Sequence, residues 1–250
     1  MTETKAAAGE QTPIIFLDDI HVVFKTRTGS ILHPNKVHAV NGLTLKLMPG
    51  ETIGIVGESG CGKSTTANVM CGLQAPTSGH VYFKGIDVTK RTADQRKTIG
   101  RVISVVFQDP ATALNARMSV HDQLMDPMNV HKVGTKQERE ARVKELIEMV
   151  GLPSSVLGAL PGQLSGGQRQ RVAIARALSL KPDAIIADEP TSALDVSVRA
   201  QILNLLSDLK KELGLSMVFI SHDIQTVRYI SDRIIVILWF SSQLACRFFQ

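Results

Sequence analysis

One stretch of this sequence decides its fold: Gly57-Glu58-Ser59-Gly60-Cys61-Gly62-Lys63-Ser64. It satisfies the pattern G-x-x-x-x-G-K-[ST] and lies between a short apolar segment, Glu51 to Val56, and a helix-favouring segment from Lys63 to about Cys71. A strand, a glycine turn and a helix in this order turn several backbone N–H groups toward one anion, and the helix N-terminus adds positive potential. The pattern therefore predicts a phosphate-binding loop. The alternative is a glycine turn that happens to precede Lys-Ser.

Two side chains of this loop have distinct predicted roles. Lys63 can reach the β- and γ-phosphates of a nucleotide, and the Ser64 hydroxyl can ligate Mg²⁺. We place the next residue, Thr65, in the same nucleotide site. The motif alone does not decide among a kinase, a GTPase and a motor.

A second candidate site is the acid pair Asp188-Glu189, which follows the apolar run Ala184 to Ala187. Ligands of open α/β sheets bind at the carboxyl ends of the strands, so these acids are expected beside the phosphate loop. Asp188 is suited to hold Mg²⁺, directly or through water. Glu189 is then positioned to polarise an attacking water as a general base. The alternative is an ordinary strand end.

A third feature, Leu164-Ser165-Gly166-Gly167-Gln168, lies far from the first in sequence and opens a predicted helix. A Ser-Gly-Gly turn at a helix N-terminus is a second potential anion site, although it is also typical of a plain helix cap. One nucleotide does not need two such cradles from one chain. The second cradle is therefore expected to serve a nucleotide held by another subunit.

The pattern of elements predicts a parallel α/β core with a helical lobe. Alternation favours strands at Ile14 to Phe24 and Val37 to Leu47, joined by a loop from Thr26 to Lys36. The further expected strands are Val81 to Val88, Arg101 to Phe107, Ala184 to Ala187 and Ser216 to Ile220, and the further expected helices are Lys136 to Val150, one after Gly167, and Val198 to Leu213.

Composition points to a folded protein without a membrane span. Apolar residues make up 44% and charged residues 20% of the 250, and the net charge of +5 is spread along the chain. Aromatic residues make up only 4%, which disfavours a nucleic-acid stacking surface. Residues 1–13 form a polar tail without a signal-peptide pattern, and the three cysteines suit neither a disulfide framework nor a zinc site. The longest late apolar run, Ile234 to Phe240, is too short to cross a bilayer.

Together these motifs resemble the nucleotide-binding subunits of ABC transporters, in which LSGGQ is the signature motif, and the resemblance runs from about Ile14 to Ile237. It implies a P-loop NTPase (RecA-like) parallel-sheet core with an N-terminal antiparallel β subdomain and an inserted helical subdomain at about 109–173, all in one nucleotide-binding domain over 14–240. It also implies head-to-tail dimers, with ATP between the P-loop of one chain and the signature of the other. Ser165, Gly166, Gly167 and Gln168 would then contact the γ-phosphate in trans.

The resemblance assigns further residues. Gln108 matches the glutamine that senses metal and water, Asp195 matches the D-loop, and His222 matches the switch histidine that faces the γ-phosphate. The alternative for His222 is a surface histidine after a strand. An aromatic residue upstream of the P-loop stacks on adenine in this family; Phe24 is the best match, with His38 as a second candidate and a core role for Phe24 as the alternative.

The amino-acid sequence around and between the motifs is similar to that of the oligopeptide, dipeptide and nickel importers. It includes Phe107-Gln108-Asp109-Pro110 and the run from Ala187 to Ser197. The implied cofactors are ATP and Mg²⁺. The implied partners are a second nucleotide-binding subunit, identical or paralogous, two transmembrane permeases and, indirectly, a solute-binding protein, but no nucleic acid. The chain would work at the cytoplasmic face of the cell membrane.

Two other classes remain as alternatives: a non-transport ABC ATPase acting on nucleic acid or ribosomes, and a catalytically silent binding module. One segment departs from the family pattern. Residues 241–250 resemble nothing in the family and are left unassigned. We take a truncated or frame-shifted C-terminus as the hypothesis for this segment, to be tested by reading the adjoining coding sequence.

Overall fold

A computed structural model describes residues 11–30, 33–240 and 243–249. Most of the predicted polar tail, 1–13, lies outside these residues, as do 241, 242 and 250 of the unassigned segment. The strands are β1 (Ile15–Ser30), β2 (His33–Leu47), β3 (Thr52–Gly57), β4 (Ser78–Phe83), β5 (Ile86–Asp87), β6 (Ile103–Val106), β7 (Ala184–Asp188), β8 (Ser216–Ser221), β9 (Arg233–Phe240) and β10 (Gln243–Phe249). The α-helices are α1 (Lys63–Met70), α2 (Ala93–Val102), α3 (Pro110–Ala113), α4 (Val120–Val130), α5 (Lys136–Met149), α6 (Gly166–Leu178), α7 (Val196–Leu213) and α8 (Ile224–Ile230).

The central sheet has the order β10-β9-β3-β8-β7-β6, and every pair in it is parallel except β10 with β9. The middle strands β3, β7 and β8 are almost wholly buried along their length. Helices cover both faces of a parallel sheet, so the side chains on both faces of its strands are buried. The sequences of such strands are therefore continuous apolar runs. The sheet therefore brings the ends of β3, β6, β7 and β8 to one edge.

A second, antiparallel sheet has the order β2-β1-β4-β5 and comes mainly from the N-terminal part of the chain. Its apolar residues alternate with exposed ones, and the inward set, including Ile15, Leu17, Leu45 and Leu47, is fully buried. These side chains share a core with β3 and α1. The parallel core with helices and an N-terminal antiparallel sheet confirms the fold class expected from the motifs.

Four helices, α3 to α6, follow one another between β6 and β7. Their ends obey local capping chemistry: Thr135 with Glu138 at α5, and Ser165 with Gln168 at α6, form reciprocal capping boxes. Their apolar faces pack into one cluster that includes Leu124, Val143, Leu146 and Ile174. The same cluster includes residues of β7, β8 and α7, so the start of α6 is held against the central part of the molecule.

Some sequence-based expectations for single elements were wrong. The expected loop Thr26 to Lys36 is mostly strand, because β1 and β2 continue as an antiparallel pair with Lys25 opposite Lys36 and Gly29 opposite Pro34. A turn at Lys84-Gly85, both with positive φ, splits the expected strand Val81 to Val88. Helices α2, α4 and α8 were not predicted, although Thr92, Ser119 and Asp223 cap their starts in the usual way.

Candidate active site

The glycine-rich loop is shaped by close backbone contacts. Gly62 has φ +99°, and a Cβ there would lie 2.1 Å from the backbone oxygen of Ala39. A Cβ on Gly57 would lie 2.3 Å from the backbone oxygen of Ile237. Side chains at either position would push the loop away from its neighbours. The two glycines therefore let the loop close over the N-terminus of α1.

Lys63 lies beneath this loop and is only 6% exposed. Its Nζ donates hydrogen bonds of 2.7 Å to the backbone oxygens of Gly57 and Glu58, so the ammonium group sits inside the curve of the loop. A cation held there attracts a phosphate group that enters the curve. The side chain of Cys61 is instead buried in the core, and only its backbone can contribute to the cradle.

The acid pair stands at the end of β7, next to the loop. The Ser64 hydroxyl hydrogen-bonds to Asp188, and the second oxygen of that carboxylate, Oδ1, is buried with no hydrogen-bond partner among the described residues. Burial raises the pKa of Asp188, and the charge of Glu189 adds to that rise, while Ser64 and Lys63 oppose it. The nearby positive charge and hydrogen-bond donors therefore do not fully compensate for the burial of the Asp188 carboxylate.

Glu189 is held in an uncommon backbone conformation, with φ +47°. Its N–H donates to the backbone oxygen of Ile220 on β8 at 2.9 Å, which anchors the residue to the neighbouring strand. Gln108 Nε2 lies 3.4 Å from Glu189 Oε2, and His222 Nδ1 lies 3.4 Å from the same oxygen. Three side chains that follow β6, β7 and β8 thus meet at one carboxylate oxygen.

These groups enclose a cavity of about 340 Å³. Its lining consists of Ala39, Ser59, Gly60, Gly62, Lys63, Ser64, Thr65, Gln108, Glu189 and His222. All but Ala39 were predicted as site residues. Ala39 was missed because a small residue on a strand carries no chemical signal in the sequence; its backbone oxygen against Gly62 is a consequence of packing.

The signature segment stands apart from this cavity. Ser165 caps α6, with its hydroxyl accepting from Gln168 N at 3.2 Å and its N–H donating to Gln168 Oε1 at 2.9 Å. The expected plain cap is therefore present, and Gly166 and Gly167, the first two residues of the helix, are partly exposed, with backbone N–H groups that have no partner within the helix. Asp195 is exposed at the start of α7. None of Ser165, Gly166, Gly167, Gln168 or Asp195 lines the cavity of the same chain.

The candidate adenine-stacking residues lie on the N-terminal sheet. Phe24 pairs with Val37 and is 40% exposed, so its alternative role as a core residue is wrong. His38 is also exposed, and it pairs with Val23. Neither side chain lines the cavity, and the assignment of the stacking residue stays a prediction.

A phosphate loop after β3, an acid pair at the end of β7 in the same sheet and a separate signature segment define an ATP-hydrolysing P-loop protein. The ABC transporter family matches residues 40–192, and the chain belongs to that family. It is an ATP-binding subunit and an ATPase.

Curated relatives cover most of the chain. The oligopeptide transport ATP-binding protein AppF of Bacillus subtilis is 47% identical over 229 residues, which are 91% of this chain and 70% of the relative. The oligopeptide transport ATP-binding protein OppF of Escherichia coli is 43% identical over 227 residues, 89% of this chain and 68% of the relative.

Solved structures show the same fold. A dimeric bacterial ABC transporter cassette superposes with a TM-score of 0.79 at 34% identity, covering 90% of this chain and 94% of that one. A dimeric cassette in a post-hydrolysis state, bound to ADP and phosphate, gives a TM-score of 0.78 at 34% identity, covering 89% and 93%. In the part of this chain that the structure describes, no helix is both long and apolar enough to cross a bilayer.

Proposed function

We propose that this chain energises an importer of oligopeptides or dipeptides and works at the cytoplasmic face of the cell membrane. In this proposal it docks on two permeases, and a solute-binding protein supplies the peptide to them. The names of the relatives support peptide transport over the nucleic-acid alternative. The observation that carries the motor role is the meeting of Gln108 and His222 at the Glu189 carboxylate beside the phosphate loop.

In this proposal the charged and polar side chains of the cavity have different tasks during hydrolysis. Lys63 and the loop N–H groups hold the β- and γ-phosphates. Glu189 orients a water molecule and accepts its proton as the water oxygen bonds to the γ-phosphorus and the bond to the ADP oxygen breaks. Gln108 and His222, at the same carboxylate oxygen, position Glu189 and the γ-phosphate relative to each other.

The residues at the acid pair also fit Mg²⁺. This ion prefers oxygen ligands, and the described residues offer the Ser64 hydroxyl, the amide oxygen of Gln108 and Asp188 Oδ1, which has no hydrogen-bond partner among them. The bound ion would neutralise charge on the phosphates. Lys63 places one positive charge inside the curve of the loop. The buried Asp188 carboxylate would be stabilised by a second positive charge, which supports binding of a nucleotide together with a cation.

Replacing Asp188 by Asn tests this arrangement apart from catalysis. Because burial raises the pKa of Asp188, this group's contribution to stability is complete at low pH and is lost as the pH rises through the raised value. At pH 7.5, without nucleotide or metal, Asp188→Asn is expected to raise the unfolding temperature, by about 2 °C because solvent partly screens the group.

The same variant should lose the extra thermal stabilisation that Mg·ATP gives over ATP with EDTA. Wild-type protein melted in parallel, with and without the chelator, is the control. An Asp188→Asn chain that keeps the full Mg²⁺-dependent shift would exclude Asp188 as a ligand.

Two chains would complete each ATP site. The signature segment and the exposed Asp195 do not line the cavity of their own chain, which supports a role in contacting a nucleotide or a P-loop of another chain. Loss of the γ-phosphate that bridges the chains then lets them separate. The partner is a second copy or a paralogue.

Peptide transport is testable in liposomes that contain the chain together with its two permeases and its solute-binding protein. We expect uptake of a radiolabelled dipeptide or pentapeptide when ATP is supplied on the face that carries this chain, and no uptake with Glu189→Gln. Normal ATP hydrolysis coupled to uptake of a non-peptide solute alone would contradict the peptide assignment and leave the motor role intact.

A further inference from the structure

One buried side chain of the signature helix, that of Gln170, has no hydrogen-bond partner in the part of the chain that the structure describes. Gln170 is 0% exposed, and both its Nε2 and its Oε1 lack partners among the described residues. Buried amides in folded proteins are nearly always hydrogen-bonded, because an unpaired buried donor or acceptor keeps its full cost of leaving water. Gln170 therefore destabilises the arrangement seen in the single chain.

The position of Gln170 along α6 connects it to the signature. It lies four residues after Gly166 and three after Gly167, so the three positions share one face of the helix. On this face a Cβ at Gly166 would lie 3.6 Å from Leu194 Cδ2, and one at Gly167 would lie 2.7 Å from Val198 Cγ1. The first turn of α6 thus packs directly on segment 194–198, which contains the exposed Asp195.

A second buried glutamine in the same group of helices has both polar atoms of its amide hydrogen-bonded. Gln123 on α4 is 2% exposed, and its Nε2 donates to the backbone oxygen of Asn115 at 2.9 Å. Its Oε1 accepts from Asn115 N at 3.2 Å. Burial of a glutamine between these helices is thus compatible with two good hydrogen bonds, and the lack of them at Gln170 is particular to that site.

We propose that Gln170 is a positioning residue for the signature: its amide hydrogen-bonds to segment 194–198 only when two chains close over ATP. The inference rests on the proposed two-chain site. A contact that exists in the closed state and is missing in the open one favours closure, because only a difference between states can shift their equilibrium. The amide thus links nucleotide contact at Gly166 and Gly167 to the loop that carries Asp195.

The test compares Gln170→Met with Gln123→Met. Methionine keeps the length and removes the amide. In the nucleotide-free monomer, Gln170→Met is expected to raise the unfolding temperature by about 2–4 °C, because a buried unpaired group is removed. Gln123→Met is expected to lower it by a similar amount, since two backbone groups of Asn115 lose their partner.

The dimer dissociation constant distinguishes a positioning role from a purely structural one, because a purely structural role of Gln170 would leave this constant unchanged. In a Glu189→Gln background with Mg·ATP, adding Gln170→Met should weaken the dimer at least about tenfold in sedimentation equilibrium, the effect of about one hydrogen bond. Greater monomer stability together with a weaker ATP dimer supports the proposal. A lower or unchanged unfolding temperature, or a dimer constant within about threefold of the parent, overturns it. If the Glu189→Gln parent itself stays monomeric with ATP, the two-chain site fails, and this role fails with it.

Discussion

Replacing Glu189 by Gln is expected to lower the rate of ATP hydrolysis by about 10²- to 10⁴-fold, the usual cost of losing a general base. The amide keeps the size of the side chain and can still contact Gln108 and His222, but it cannot take a proton from water. Steady-state phosphate release measured at saturating ATP gives the rate directly.

Nucleotide binding should survive the same change. Lys63, the glycine loop and Ser64 are untouched, so the affinity for Mg·ATP should stay within a few-fold of wild type while the bound ATP persists. The chains should therefore accumulate as ATP dimers. Glu148→Gln, which changes an exposed acid on α5 that does not line the cavity, is the matched control and should hydrolyse ATP normally. Full activity in Glu189→Gln would refute the general-base role.

Replacing Gly166 by Asp is expected to lower hydrolysis by about 10²- to 10³-fold, as the loss of one preorganised donor at developing charge does elsewhere. The monomer should fold, because a Cβ at this position meets only Leu194 at 3.6 Å and an acid in the first turn of a helix favours the helix. The added charge would, however, face the phosphates of the ATP held by the other chain.

The Gly166→Asp substitution distinguishes ATP binding by a single chain from the closure of two chains over ATP. ATP affinity of the single Gly166→Asp chain should be unchanged, since Gly166 does not line its own cavity. Gly158, which has open space around it, offers the control Gly158→Asp, with an acid in the same group of helices but away from the signature. A Gly166→Asp chain with normal turnover would show that the signature takes no part in hydrolysis.

Local backbone chemistry explains why much of the site was predictable. A loop that wraps a phosphate needs glycine at fixed offsets, and Gly57 and Gly62 indeed have no room for a Cβ. The acid pair was predictable because a fully buried apolar strand must end at the sheet edge where ligands bind. The spacing of these residues is set by the chain itself, so one sequence is enough to find them.

Features that depend on distant packing were not predictable. The expected loop between β1 and β2 failed because turn-forming residues such as Gly29 and Pro34 pair across an antiparallel hairpin. Ala39 contributes a backbone oxygen, which has no residue signature. Two features depend on how separate helices and strands pack: the lack of partners for Gln170 within the described ranges, and the meeting of Gln108, Glu189 and His222 at one oxygen.

The central claim is that each ATP site is shared by two chains, and mixing two inactive variants tests it most directly. Lys63→Met disables the phosphate loop, and Gly166→Asp disables the signature. A mixed dimer regains one complete site, formed by the loop of the Gly166→Asp chain and the signature of the Lys63→Met chain. With equal amounts, half of the dimers are mixed and half of their sites are complete, so ATP hydrolysis should recover to about a quarter of wild type. Hydrolysis that stays at the level of the separate variants, although mixed dimers form, would contradict the shared site.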